Sequence, residues 1–294
     1  KDIAARILRK LGKESSAHAE PVLSSSNREA HNLYLRGRFH CSQRSEKGLA
    51  RAVRCFETAI ALDALSSSLH SGLADACTLI IDYGFADPLS LRDKALAAAR
   101  RAVELDSNSA EAHASLAHTL ATQEWNCTKA EEGFQRAIAL SPGNAVAHHW
   151  YATACLAPLD RLDEAVNEMQ TARKLDPVSS IIAKDLAQLF FYQRRTDAAI
   201  ERCEETLEQD PHFYGAHWLL GLIHEQCRDY DTSEACFRKA IELTPGTPRM
   251  LSALGRTMAL AGKKKQAYQV LAELSAMARA LPALMCGRMA PVAM

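Results

Sequence analysis

The sequence predicts an all-α protein, a solenoid of about seven helix-turn-helix units. Three observations carry this. First, a phrase of the form A-I-x-L-D/S/T-P recurs, with its small residue at Ala59, Ala102, Ala137, Ala172, Thr206 and Ala240 and Leu274 in the last slot. The steps are 43, 35, 35, 34, 34 and 34 residues, and a fixed period of this length is the mark of stacked supersecondary units. Second, turn prolines keep the same clock at Pro142, Pro177, Pro211 and Pro245, with Ala64 and Ser107 in the two earlier slots. Third, the chain is 48% hydrophobic but only 6% aromatic and rich in Ala, which suits close-packed helices better than a β-sandwich.

Each unit reads as a pair of antiparallel helices. First helices carry a large-then-small pair: Leu73-Ala74, Leu116-Ala117, Tyr151-Ala152, Leu186-Ala187, Leu220-Gly221 and Leu254-Gly255. Second helices open on Ala52, Ala95, Ala130, Ala165, Ala199, Ser233 and Ala267. Four residues later stand Phe56, Ala99, Phe134, Met169, Cys203, Phe237 and Leu271. Helix axes approach to about 8 Å only where small side chains line the crossing, and the large residues fill the spaces between. Proline just past a helix ends it. One hairpin cannot bury its own apolar face, so the units must stack. The first unit carries about three extra residues near His40–Glu46 and the second about nine near Asp82–Leu91, both expected in the turn between paired helices.

This 34-residue pattern resembles the tetratricopeptide repeat family over roughly residues 28–274. The resemblance implies a right-handed superhelix whose concave groove, lined by first helices, binds a protein or peptide. The groove positions of that family fall here on Asp75, His118, His149, Thr153, Lys184, Gln188, Phe191, Tyr192, Trp218, Glu225, Arg249 and Arg256. The expected partner site within it comprises Lys184, Gln188, Phe191, Tyr192, Trp218, Glu225, Arg249 and Arg256. Trp and Tyr dominate interface hot spots, which favours the aromatics as anchors. The competing use of Phe191 and Trp218 is to fill seams of the stack, while Phe190 turns into the core. Some repeat domains grip a chain terminus with a Lys/Asn/Arg clamp. Lys184 is followed at four residues by Gln188 rather than Asn, and the next unit lacks the basic positions, so no such clamp is expected.

The ends read differently. Residues 1–12 form an amphipathic pattern with Ile3, Ile7, Leu8 and Leu11 on one side, 13–27 a Ser-rich linker, and 275–294 an irregular tail holding four of the seven methionines. Residues 2–7 and 29–38 resemble the junction of bacterial multidomain regulators that carry a TolB-like domain before their repeats. That resemblance implies the repeat region of a signalling or transcription regulator; the alternative is the sensing arm of a parent Ser/Thr kinase or nucleotide cyclase.

The residues argue against chemistry. Lys+Arg and Asp+Glu are both 35, so no nucleic-acid footprint is expected. No uncharged apolar run reaches the length of a membrane span, and nine cysteines without a CxxC spacing point to a reducing, cytoplasmic setting rather than a disulfide framework. Phosphate-loop, nucleophile-elbow, metalloprotease and kinase phrases are absent. His70, His113, His148 and His217 share the fourth position of their first helices, with His118 and His149 nearby. Successive units place such positions about 10 Å apart, too far to share a zinc with ligand distances near 2 Å. These rings are expected to pack against the paired helix. Glu131-Glu132 and Glu204-Glu205 read as a solvated face, and Lys263-Lys264-Lys265 as a solubilising turn. The expectation is a non-enzymatic chain with no cofactor and no metal.

Overall fold

A computed structural model describes residues 25–244 and 248–280. The readings made for residues 1–12, most of the linker and 281–294 lie outside the described residues. Within them the chain is fourteen α-helices and no strand, paired as seven hairpins. The first three pairs are α1 (Ser25–Ser42) with α2 (Glu46–Leu62), α3 (Ser67–Asp82) with α4 (Pro88–Leu105), and α5 (Ala110–Gln123) with α6 (Cys127–Leu140). The fourth first helix, α7 (Ala145–Trp150), runs on as a π-helical turn at Tyr151–Leu156 and a 3-10 turn at Ala157–Leu159 before α8 (Leu162–Leu175). Then come α9 (Ser180–Tyr192) with α10 (Thr196–Gln209), α11 (Tyr214–Gln226) with α12 (Tyr230–Leu243), and α13 (Pro248–Leu260) with α14 (Lys264–Ala280). The last helix extends past Leu274 to Ala280.

The small residues lie where the helices cross. Ala52, Ala95, Ala130, Ala165, Ala199 and Ser233 are fully buried, as are Ala59, Ala102, Ala137, Ala172 and Ala240. Phe56, Phe134, Met169 and Phe237 are equally enclosed. Phe56 lies against Gly37 and Gly72, where an added Cβ would meet the ring at 2.6 and 2.3 Å, and Phe237 lies against Gly221 at 2.7 Å. Glycine there is required by close approach, not by backbone freedom. The last unit departs: Leu271 is 55% exposed and Val270 fills the contact with Gly255. No further hairpin among the described residues covers α14, so its outer side keeps no partner.

Sequence start signals hold at the helix ends. Ser45, Asp87, Ser109, Asn126, Asn144, Ser179 and Asp229 each accept a backbone N–H from the first turn of the helix that follows. Inside the hairpins a second regularity appears. Two residues before the second helix, the backbone enters the left-handed region at Arg44, Trp125, Asp160, Arg194, Arg228 and Gly262. Only the last is the residue that position favours.

The extra residues of the first two units do not simply enlarge turns. They lengthen second helices: α2 has 17 residues and α4 has 18, against 14 in α6, α8, α10 and α12. A continued helix satisfies each added backbone group internally, which a longer loop would leave to solvent. What remains of the second insertion is the short segment Tyr83–Asp87, with Gly84 at φ 72°. Tyr83 and Phe85 stack on each other there, centroids 5.9 Å apart.

The histidine ladder has a hydrogen-bonding use that the packing expectation did not include. His70, His113, His148 and His217 each place Nε2 2.9–3.2 Å from the backbone carbonyl six residues earlier, at Ala64, Ser107, Pro142 and Pro211. Each ring therefore ties its first helix to the turn entering the unit. Two surface readings also change. Glu131 is not merely solvated: it accepts from Tyr151 Oη at 2.7 Å and Arg161 at 2.6 Å. Lys263 pairs back to Asp231 at 2.7 Å and Glu234 at 3.0 Å, joining the last two units. Among the described residues eight cysteines are free; burial pushes Cys41, Cys77 and Cys203 up to about 12, so they serve as small apolar side chains.

Candidate peptide groove

Polar residues of the first helices form a chain of contacts from one unit to the next. At the start, Arg38 on α1 donates to Asp75 on α3 at 3.2 Å and to Glu111 on α5 at 2.9 Å, and Tyr34 Oη donates to Glu111 at 3.1 Å. Asp75 is buried, and burial raises its carboxyl above the ordinary range. Burial and the Glu111 carboxylate push the Tyr34 phenol up to about 12. Further along, Asp82 accepts from Gln123 at 3.0 Å and faces His118 at 3.3 Å, and His118 stacks on Trp150 with centroids 4.3 Å apart. His149 on α7 meets Asp185 on α9 at 2.7 Å, and Lys184 also donates to Asp185. Burial alone would raise the Asp185 carboxyl, but Lys184 and His149 hold it well below the usual carboxylate range.

The eight residues expected to bind a partner separate into three groups. Lys184, Gln188, Trp218 and Arg249 line one cavity of about 210 Å³. Its opposite wall is Tyr83 and Phe85, from the insertion of the second unit. That segment thus reaches first helices three to five units away. Tyr214 Oη, 3.5 Å from the carbonyl of Arg44, marks the same closure. The sequence alone could not place these partners, because Tyr83 and Phe85 lie about a hundred residues or more before them; two aromatics flanking Gly84 in an inserted segment were the available signal.

Gln188 also faces a second hollow of about 380 Å³, together with Tyr192 on α9 and Thr153, Ala157 and Pro158 from the distorted end of the fourth first helix. The π-helical turn at Tyr151–Leu156 leads directly into Ala157 and Pro158, and such turns recur at functional sites. Tyr192 is 47% exposed and its hydroxyl accepts from Gln188.

The remaining three, Phe191, Glu225 and Arg256, are engaged within the stack to different degrees, as Trp218 and Arg249 are in part. Phe191 is half-buried against the central core, and Trp218 packs at the seam between two core clusters while keeping one face toward the cavity. Arg249 lies over the Trp218 ring, 4.4 Å from its centroid. Glu225 is bound by Arg256 at 2.7 Å and by Thr257 Oγ1 at 2.5 Å, so this pair spans α11 and α13 outside both hollows.

Comparisons with known proteins agree with the fold. Residues 184–248 match the tetratricopeptide repeat family model. Among curated proteins the chain is 29% identical over 152 residues to anaphase-promoting complex subunit 3 of Schizosaccharomyces pombe, covering 50% of this chain and 22% of that protein. It is 28% identical over 117 residues to the probable UDP-N-acetylglucosamine–peptide N-acetylglucosaminyltransferase SPINDLY of Hordeum vulgare, covering 36% of this chain and 12% of that protein. The chain therefore spans less than a quarter of either relative. Among solved structures it superposes on an IFIT1 monomeric mutant with Gppp-AAAA at TM-score 0.69 and 18% identity, over 79% of this chain and 55% of that one. It superposes on PilW, a widely conserved type IV pilus biogenesis factor, at TM-score 0.58 and 19% identity, over 75% of this chain and 97% of that one. These structural likenesses show the fold. No helix among the described residues is long and apolar enough to cross a membrane. Among the described residues the protein is thus an all-α solenoid of helix pairs, of which residues 184–248 match the tetratricopeptide repeat family model.

Proposed function

We propose that the chain is a non-catalytic protein-interaction module that takes an extended peptide along its inner wall. The observation that carries the reading is the hollow between the π-helical turn and Tyr192. It sets a half-exposed aromatic beside two polar side chains, Gln188, which bonds Lys184 and Tyr192, and Thr153, which bonds the His149 carbonyl; an aromatic with a polar rim is the composition of an interface anchor. The repeat match supports a scaffold role in the same direction. The likeness of residues 2–7 and 29–38 to regulators with a TolB-like domain supports a signalling or transcription regulator in the bacterial cytoplasm as the parent. The alternative parent is a kinase or cyclase whose sensing arm this array would form. The coding sequence upstream of Lys1 separates these two parents.

Position-specific photocrosslinking tests the groove. A photoreactive phenylalanine analogue at Tyr192 should crosslink a partner, and the same residue at Glu201 on the outer side of α10 should not. A partner caught from Glu201 and never from Tyr192 would move the interface to the convex face.

A further inference from the structure

The cavity between Trp218 and the inserted segment has a chemistry of its own. Its donors and acceptors are unequally spent. Of the carboxylates nearest it, Asp82 has both oxygens engaged, by Gln123 and His118, and Asp185 is taken by Lys184 and His149. The donors are not spent to the same extent. Trp218 Nε1 is buried without a hydrogen-bond partner among the described residues, which is costly unless something accepts from it. Arg249, stacked on the same indole, forms no ion pair among the described residues. A guanidinium lying over a ring face keeps N–H groups that can pair with a carboxylate. Burial pushes the Tyr214 phenol at this cavity up to about 12, with Lys184 and Arg249 opposing the rise. Around this polar corner the walls are flat and apolar: Tyr83 and Phe85 on one side, Met250 on the other. At about 210 Å³ the space is below the range of about 300–1,000 Å³ typical for larger ligands, so it fits one ring and not a folded peptide segment.

From this we propose that the Trp218–Arg249 cavity binds a small carboxylic acid with one flat apolar ring. The carboxylate lies on Arg249 and Trp218 Nε1, and the ring slides between Phe85 and Met250. The occupant touches the second unit on one side and the sixth and seventh on the other, so its binding ties the inserted segment across the solenoid. This site is separate from the Tyr192 hollow and does not depend on the peptide reading.

Calorimetric titration of the full chain with 3-phenylpropionate, and with its neutral amide, tests the assignment. The acid should bind one equivalent, with the amide at least tenfold weaker. Arg249→Gln should cost the acid at least tenfold and leave the circular dichroism spectrum unchanged. Trp218→Phe keeps the ring and removes the donor; it should weaken the acid several-fold, and the Trp218 indole N–H resonance of the unaltered chain should move downfield on titration. Equal binding of acid and amide, an unmoved Trp218 resonance, or no saturation at millimolar acid each overturns the proposal. Tighter binding of a tetrapeptide ending in a phenylalanine carboxylate than of the free acid also overturns it, by assigning the corner to a chain terminus. None of these outcomes bears on crosslinking at Tyr192, so the two readings fail separately.

Discussion

His148 sits between two acceptors, with Nδ1 2.5 Å from Glu168 Oε2 and Nε2 3.1 Å from the Pro142 carbonyl. Both ring nitrogens must donate to use both partners, which favours the imidazolium. The bond to Glu168 raises the His148 pKa above its ordinary value, burial opposes it, and the Pro142 carbonyl adds to the rise. The other ladder histidines bond only their turn carbonyls, so this pair is where pH should act on the fourth unit.

A folded-state pKa above the unfolded value gives stability that is complete below the unfolded pKa, about 6.5, and is lost as pH rises through the folded value. Thermal midpoints of the native chain and Glu168→Gln should therefore differ most near pH 5.5 and converge by pH 9. A difference that grows with pH would show that the imidazolium pair is not the source.

The left-handed positions predict a stabilising change. Arg228 has φ 63° in the turn between α11 and α12, and its side chain is exposed. An L side chain in that region costs about 1–2 kcal/mol, which glycine avoids, although glycine returns part of it as unfolded-chain entropy. Arg228→Gly should raise urea stability by about 0.5–1 kcal/mol. Arg228→Ala should not, since it keeps the Cβ.

Close approach predicts the opposite at Gly72. Alanine is the better helix former by about 1 kcal/mol. Yet its Cβ would fall 2.3 Å from Phe56 Cε1, and that ring is fully enclosed. Overpacking of this kind costs about 1–3 kcal/mol, so the clash should win. Urea denaturation of Gly72→Ala should show a net loss, and Phe56→Leu in the same chain should recover part of it.

Tyr192 and Trp218 should respond differently to alanine. Tyr192 is half-exposed beside a hollow, so Tyr192→Ala should leave the melting curve nearly unchanged and weaken partner capture by roughly 2 kcal/mol. Trp218 fills a seam between two core clusters, so Trp218→Ala should lower the midpoint whatever binds. Calorimetry and quantitative capture on both variants separate the roles; an unmoved Trp218→Ala melt would return Trp218 to the list of pure surface anchors.

The repeat itself was legible in the sequence. Small residues such as Ala137 and Ala172, and large ones such as Phe134, recur because each hairpin solves the same local packing problem with its neighbour, and a local problem leaves a periodic trace. Lys184, Gln188 and Tyr192 could be placed on one first helix for the same reason. Where the period breaks, the sequence marks the place but not the outcome. It did not show that the fourth first helix passes through a π-helical turn near the Tyr192 hollow. Nor did it show that Leu271 would face outward while Val270 packs. Above all, it could not bring Tyr83 and Phe85 to Trp218 and Arg249. That meeting depends on the accumulated rotation of several hairpins about the solenoid axis, a small angle per unit that no single pair of residues encodes and only the assembled stack adds up.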